Sequence, residues 1–148
     1  MADPFDFAQG RGCWLIANFM AHNCSSLVLH CMDFRLQPAI RRWLEQQNLL
    51  GDCDVVSVAG ACKDLDEGVG DFIWKQIDIS YRLHNMRQII LMNHTDCGAY
   101  GGRMPDDENK HQEIMARTEK LIASKYPDIK VKKVLVTVGE QGEIEWQE

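Results

Sequence analysis

Two short stretches carry the residues that could do chemistry. In "LVLHCMDFRLQPAI", Cys31 ends an apolar run, and Asp33 and Arg35 follow at alternate positions. In "IILMNHTDCGAYGG", His94 ends a second apolar run, and Cys97 and Gly98 come just after it. Two thiolates and one imidazole are a good donor set for zinc, which pairs soft sulfur with borderline nitrogen. Three protein ligands leave a fourth position for water, and the metal lowers the pKa of that water towards about 7. Asp33 lies two residues past Cys31, so an extended chain brings both to one side. Its carboxylate can accept a hydrogen bond from the water or bind the metal itself. A forked contact from Arg35 would hold it ionised and off the metal.

The other chemical residues have plainer readings. Cysteine is among the most buried residue types, and Cys13, Cys24 and Cys53 read as packing thiols. Cys62 follows the second strand and faces the same crevice. As a fourth ligand it would close the site into the structural Cys3His type, and as a buried or merely neighbouring thiol it would not. Gly60, Lys63 and Tyr100 are further pocket candidates. Asp96 reads as a loop hydrogen-bonding residue, His30 as a satisfied core histidine, and His84 and His111 as non-ligands. A cysteine nucleophile at Cys31 backed by Arg35 is a poorer fit. The gap is too tight for a phosphate cradle, and it leaves His94 and Cys97 unexplained.

These residues must be positioned by strands and helices, and the punctuation shows which. Apolar runs at 25–31, 53–60, 87–94 and from 131 onward read as strands. Between the first two, Ala39, Ile40, Trp43 and Leu44 fall at helical spacing, with Pro38 tolerated in the first turn and Gly51 closing the helix. The stretch 61–68 reads as a loop. It leads into a helix whose face carries Val69, Phe72, Ile73, Gln76, Ile77 and Ser80. A long acidic-led helix ends before Pro127, and a turn at Gly139–Gly142 leads to a last strand with Glu143, Glu145 and Gln147 alternating as at a half-exposed edge. Strands alternating with helices predict an α/β three-layer sandwich with a mostly parallel sheet and one antiparallel edge strand. The continuous apolar character of "LVL", "DVVSV", "QIILM" and "KVLVTV" predicts burial on both faces. In such sheets ligands bind beyond the carboxyl ends of the strands, which brings Cys31, the Gly60–Cys62 loop and His94 to one crevice.

The totals bound the rest. The chain has 148 residues, a net charge of −6 and six cysteines. That length suits one domain, read as a poorly defined N-terminal arm at 1–24, with a short helix near 13–21, and a single α/β domain at 25–148. An acidic chain without a basic stripe argues against nucleic acid or an anionic membrane as partner. It has neither a membrane-length apolar run nor a secretory leader pattern, which predicts a cytoplasmic protein. In that reducing compartment cysteine near histidine speaks for metal or catalysis over disulfides.

"CMDFR" and "HTDCGAY" resemble the Cys-x-Asp-x-Arg and His-x-x-Cys signatures of the β-class carbonic anhydrases, in the same order and strand context. The resemblance spans roughly 25–140 in organisation and is specific at the motifs. It implies zinc on Cys31, His94 and Cys97, and Asp33 with Arg35 as the dyad that orients the reacting water. It further implies dimers or larger assemblies and hydration of carbon dioxide to bicarbonate. The chain departs from the family where an Arg-Asn-Ala-Gly-Asn stretch is usual. Here "SVAGACKDL" keeps Ala59–Gly60 but places Ser57, Val58 and Ala61 at the polar positions. Phe34 replaces a small hydroxyl residue, and His22 stands where a substrate-orienting glutamine is expected. The metal set thus reads as kept and the pocket as altered. That admits two alternatives: a zinc-stabilised, non-hydrating binding protein for a small anion or nucleotide, and a hydrolase of carbonyl sulfide or carbon disulfide.

Overall fold

A computed structural model describes residues 22–148. The short helix expected near 13–21 and Cys13 lie outside the described residues. Strands β1 (Ser26–Cys31), β2 (Cys53–Val58), β3 (Gln88–His94), β4 (Lys130–Val138) and β5 (Ile144–Gln147) form one sheet in the order β2-β1-β3-β4-β5. β1 lies between β2 and β3, parallel to both; β4 continues the parallel run and β5 returns antiparallel along it. This is the α/β sheet that the alternation of elements predicts.

Strand periodicity builds the layers. Val28, Ile90, Met92 and Val136 turn to one face and pack against Ile40 and Trp43 of helix α1 (Gln37–Gln46). Leu27, Leu29, Ile89 and Leu91 turn to the other, where helices α3 (Asp71–Leu83) and α4 (Asp107–Lys125) supply Ile73, Ile77, Met115 and Ile122. Successive residues of a strand point to opposite faces, so each central strand serves both layers at once. Trp146 of β5 stacks on Trp43 at a centroid distance of 5.8 Å, and its strand neighbours Glu145 and Gln147 face solvent.

Four expectations need correction. β2 is not buried on both faces: among the described residues it is the sheet's edge strand, and Val55 is 50% exposed, because an edge strand is packed over by less of the layers than a central one. The stretch after it is not all loop, since a short helix α2 (Lys63–Asp66) begins there. Gly51 does not close α1, which already ends at Gln46; Asn48 takes the left-handed turn at φ 57°. Val69 and Phe72 stay largely exposed. Val69 precedes the helix, and Phe72 lies about 100° round from the Ile73–Ile77–Ser80 stripe that is buried. Among the described residues no helix is long and apolar enough to cross a membrane.

Candidate metal centre

Parallel strands deliver their carboxyl ends to one edge of the sheet, and the register sets how they meet. His30 pairs with Met92, so Cys31 lies level with Asn93, and His94 reaches one residue farther. Beyond β3 the chain is pinned at once. Thr95 N–H donates to the Val136 carbonyl at 2.9 Å, and the Thr95 hydroxyl accepts from Val138 N–H at 2.8 Å. Asp96 takes a left-handed backbone at φ 56°, which turns Cys97 back towards β1. A 3-10 turn (Gly98–Tyr100) then closes the loop, with Gly102 N–H donating to the Cys97 carbonyl at 3.0 Å.

The result is a compact donor set. Cys31 Sγ and Cys97 Sγ lie 3.8 Å apart, and these sulfurs and a ring nitrogen of His94 all fall within 4.8 Å of one another. Two thiolates bound to one tetrahedral zinc would be about 3.8 Å apart, given Zn–S bonds near 2.3 Å. His94 is 1% exposed, and its Nδ1 lies 2.8 Å from the Thr95 carbonyl. That contact makes Nδ1 the protonated nitrogen and leaves Nε2 a bare acceptor. Nε2 is buried without a hydrogen-bond partner, an arrangement that costs stability unless something occupies the lone pair. The residues present therefore fit zinc. The thiols are matched to it as well. The hydrogen bond from Cys97 pushes the Cys31 thiol down against the effect of burial, helped by Gly60 N–H at 3.4 Å. Cys97, giving that bond and buried, is pushed up. A cation between the sulfurs is what allows both to ionise.

Asp33 stands beside this set without joining it. Its Oδ2 is 4.0 Å from His94 Nε2, and it is not one of the clustered donors. Arg35 grips it by Nε–H to Oδ1 at 3.0 Å and by Nη2–H to Oδ2 at 2.7 Å. The same guanidinium reaches across to the metal loop, donating to Asp96 Oδ2 and to the Asp96 carbonyl, both at 2.9 Å. Arg35 holds the Asp33 carboxyl below the usual carboxylate range, overcoming partial burial.

The remaining sequence candidates scatter. Gly60 supplies the N–H on Cys31, and its carbonyl accepts from the Tyr100 hydroxyl at 3.0 Å. Tyr100 in turn packs edge-on to His111 at 4.8 Å. Lys63 turns away to pair with Glu67 at 2.6 Å. Cys62 does not face the crevice. It is fully buried in the α3–α4 layer, its thiol pushed up to about 12 by that burial, and it is not among the clustered donors. Cys62 thereby does not close a Cys3His site. Two partners were missed: Asp96 as the second acid on Arg35, and Asp107, whose Oδ2 accepts the Asp96 N–H at 2.7 Å. The acid between the two ligands in "HTDC" was the available signal for the first; nothing local signalled the second.

Residues 21–146 match the family described as "Putative carbonic anhydrase". An uncharacterized protein of Rickettsia bellii is 33% identical over 122 residues, covering 74% of this chain and 74% of its own length. An uncharacterized protein of Rickettsia conorii is 31% identical over 122 residues, covering 74% of this chain and 66% of its own. Among solved structures, a carbonic anhydrase from Glaciozyma antarctica superposes with a TM-score of 0.56 at 18% identity, over 82% of this chain and 80% of that one. At that identity the likeness is one of fold.

Proposed function

Since the chain belongs to the family described as "Putative carbonic anhydrase", we propose that it hydrates carbon dioxide to bicarbonate as a zinc lyase of β-class organisation. The observation that carries this reading is the orphaned His94 Nε2, aimed among two clustered thiols, with an arginine-gripped carboxylate next to it and outside the donor set. Cys31, His94 and Cys97 would hold the zinc, which supplies Lewis-acid activation of a water at neutral pH.

The other roles fall to the chain's own groups. Asp33, kept ionised, accepts a hydrogen bond from the reacting water and so aims its remaining lone pair at the carbon. Arg35 stops Asp33 from moving onto the metal and ties it to the ligand loop through Asp96. Gly60 N–H and the Thr95 carbonyl steady Cys31 and His94, as hydrogen bonds behind a metal's ligands generally do.

A second reading, a zinc-stabilised protein that binds without hydrating, or that hydrolyses carbonyl sulfide or carbon disulfide, is favoured by the loop after β2. There Ala61 is fully buried where the β-class motif has a polar residue. Stopped-flow hydration on protein of known zinc content, from about pH 6.5 to 9, separates the readings. Activity that rises with pH and collapses in Asp33→Asn supports the anhydrase. Full zinc occupancy with no turnover sinks it, and carbonyl sulfide is then the substrate to try. Assembly into dimers belongs to the same proposal. The edge position of β2 among the described residues and the exposed side chains of Val55 and Phe72 support it, and light scattering on eluting protein tests it.

A further inference from the structure

The opposite end of the sheet holds a second convergence of ligand-type side chains. Cys24 precedes β1, Asp54 lies on the edge strand β2, and His84 is the C-cap of α3. One donor atom from each falls within 4.8 Å of the other two. The backbone builds this meeting: Cys24 N–H donates to the His84 carbonyl at 3.0 Å, and Asp52 anchors Ser25 through its N–H at 2.9 Å. Asp54 Oδ2 is the hub. It lies 2.7 Å from His84 Nδ1 and 2.6 Å from Ser80 Oγ, with Cys24 Sγ at 3.5 Å.

We propose that Cys24, Asp54 and His84 form a second site for a borderline divalent cation of the Zn2+ type, with solvent completing the coordination. Sulfur, imidazole nitrogen and carboxylate oxygen are each zinc donors, and three of them leave room for water. A hydrogen bond between Asp54 and His84 would explain two of the residues, but it needs no thiol, and Cys24 Sγ stands within sulfur hydrogen-bond reach of both Asp54 Oδ2 at 3.5 Å and the Ser26 carbonyl at 3.4 Å, so the thiol is turned into the cluster. The field also favours a cation. The charges acting on Cys24 and on its neighbour Cys53 include those of Asp54 and Asp52, and His84 sits at a helix C-terminus, the negative end of its dipole. Access is open: Asp54 and His84 side chains are 31% and 34% exposed, and a cavity of about 180 Å³ lined by Asp54, Ser80 and His84 adjoins them. On binding, the Cys24 thiol gives its proton to solvent and the sulfur–metal bond replaces the S–H bond, while the hydrogen held between His84 Nδ1 and Asp54 Oδ2 moves to the other ring nitrogen or to solvent, so that imidazole and carboxylate both meet the metal unprotonated.

The test is metal content by mass spectrometry after zinc loading and desalting, joined to Co2+ titration followed by the near-ultraviolet thiolate-to-cobalt band. The unaltered protein should hold about two equivalents per chain, and Cys24→Ser or His84→Gln about one. The Cys31→Ser/Cys97→Ser double variant should keep one equivalent with a thiolate band, which adding Cys24→Ser removes. That result stands even if carbon dioxide hydration is never found. A single equivalent that disappears with Cys31 and Cys97, or a second that survives Cys24→Ser and His84→Gln, overturns the proposal. The cobalt titration of the unaltered protein, which should show a second thiolate-bearing step, requires no variant to fold; a single step overturns it as well.

Discussion

The two ends of the sheet are built from similar residues and behave differently. At the carboxyl end the histidine is 1% exposed and its free nitrogen has no partner. At the amino end the histidine side chain is 34% exposed, and its inward nitrogen already touches a carboxylate. The first set is held open by its surroundings: the Thr95 carbonyl, Gly60 N–H and the Arg35 fork each remove an alternative partner. The second set satisfies itself. A cation there must displace the thiol proton and a carboxylate–imidazole contact, whereas at the carboxyl end it relieves an unmet lone pair. Preorganisation, more than donor type, separates a centre suited to catalysis from a peripheral site.

The largest effect should come from breaking the preorganised end at its metal. Cys97→Ser should abolish carbon dioxide hydration together with the zinc held there, seen by stopped flow and metal analysis. Activity that survives would mean that burial and orphaned nitrogen are a poor guide to this chemistry. Next, Asp33→Asn should lower turnover by about 10²–10³ while zinc content stays unchanged, and Arg35→Ala should lower it comparably. A loss of zinc in Asp33→Asn would make Asp33 a ligand and not an orienting group.

A smaller effect tests the scaffold around the carboxyl end. Gly60 has φ 74°, and a Cβ there would lie 2.9 Å from the Lys63 Cβ and 3.0 Å from the Ala99 Cβ. Gly60→Ala should therefore cost about 1–2 kcal/mol of stability in urea unfolding and loosen the N–H on Cys31. An unchanged midpoint would show that this turn yields more readily than its contacts imply. The smallest effect concerns pH. Arg35 depresses the Asp33 pKa, so the pair's contribution is present above the unfolded value of about 3.9 and is lost as pH falls through the lower folded value. The stability gap between the unaltered protein and Asp33→Asn should narrow as pH drops from about 5 towards 3. A gap that stays constant would mean that the fork adds nothing to folding.

Much of the carboxyl end is legible along the chain because its determinants are local. A ligand directly after an apolar strand, an acid and an arginine at alternate positions, and a histidine three residues before a cysteine are all short-range patterns. Cys62 shows where that ends: it follows β2 as expected, but the left-handed Ala61, at φ 49°, helps turn the chain and α2 carries the thiol into the core. β2 shows the same limit, since an apolar strand reads alike at the edge or the centre.

Local periodicity and polarity, which need only neighbouring residues, were enough to specify the alternating elements, the parallel sheet and the Cys31–His94–Cys97 donor set. Strand order, the edge position of β2, the reach of Arg35 to Asp96 and the meeting of Cys24 with Asp54 and His84 were settled only in three dimensions. Those last partners lie 30 residues apart along the chain. No spacing rule spans such a gap; what joins them is the register of β1 on β2 and the point where α3 stops, and both follow from how the core packs as a whole.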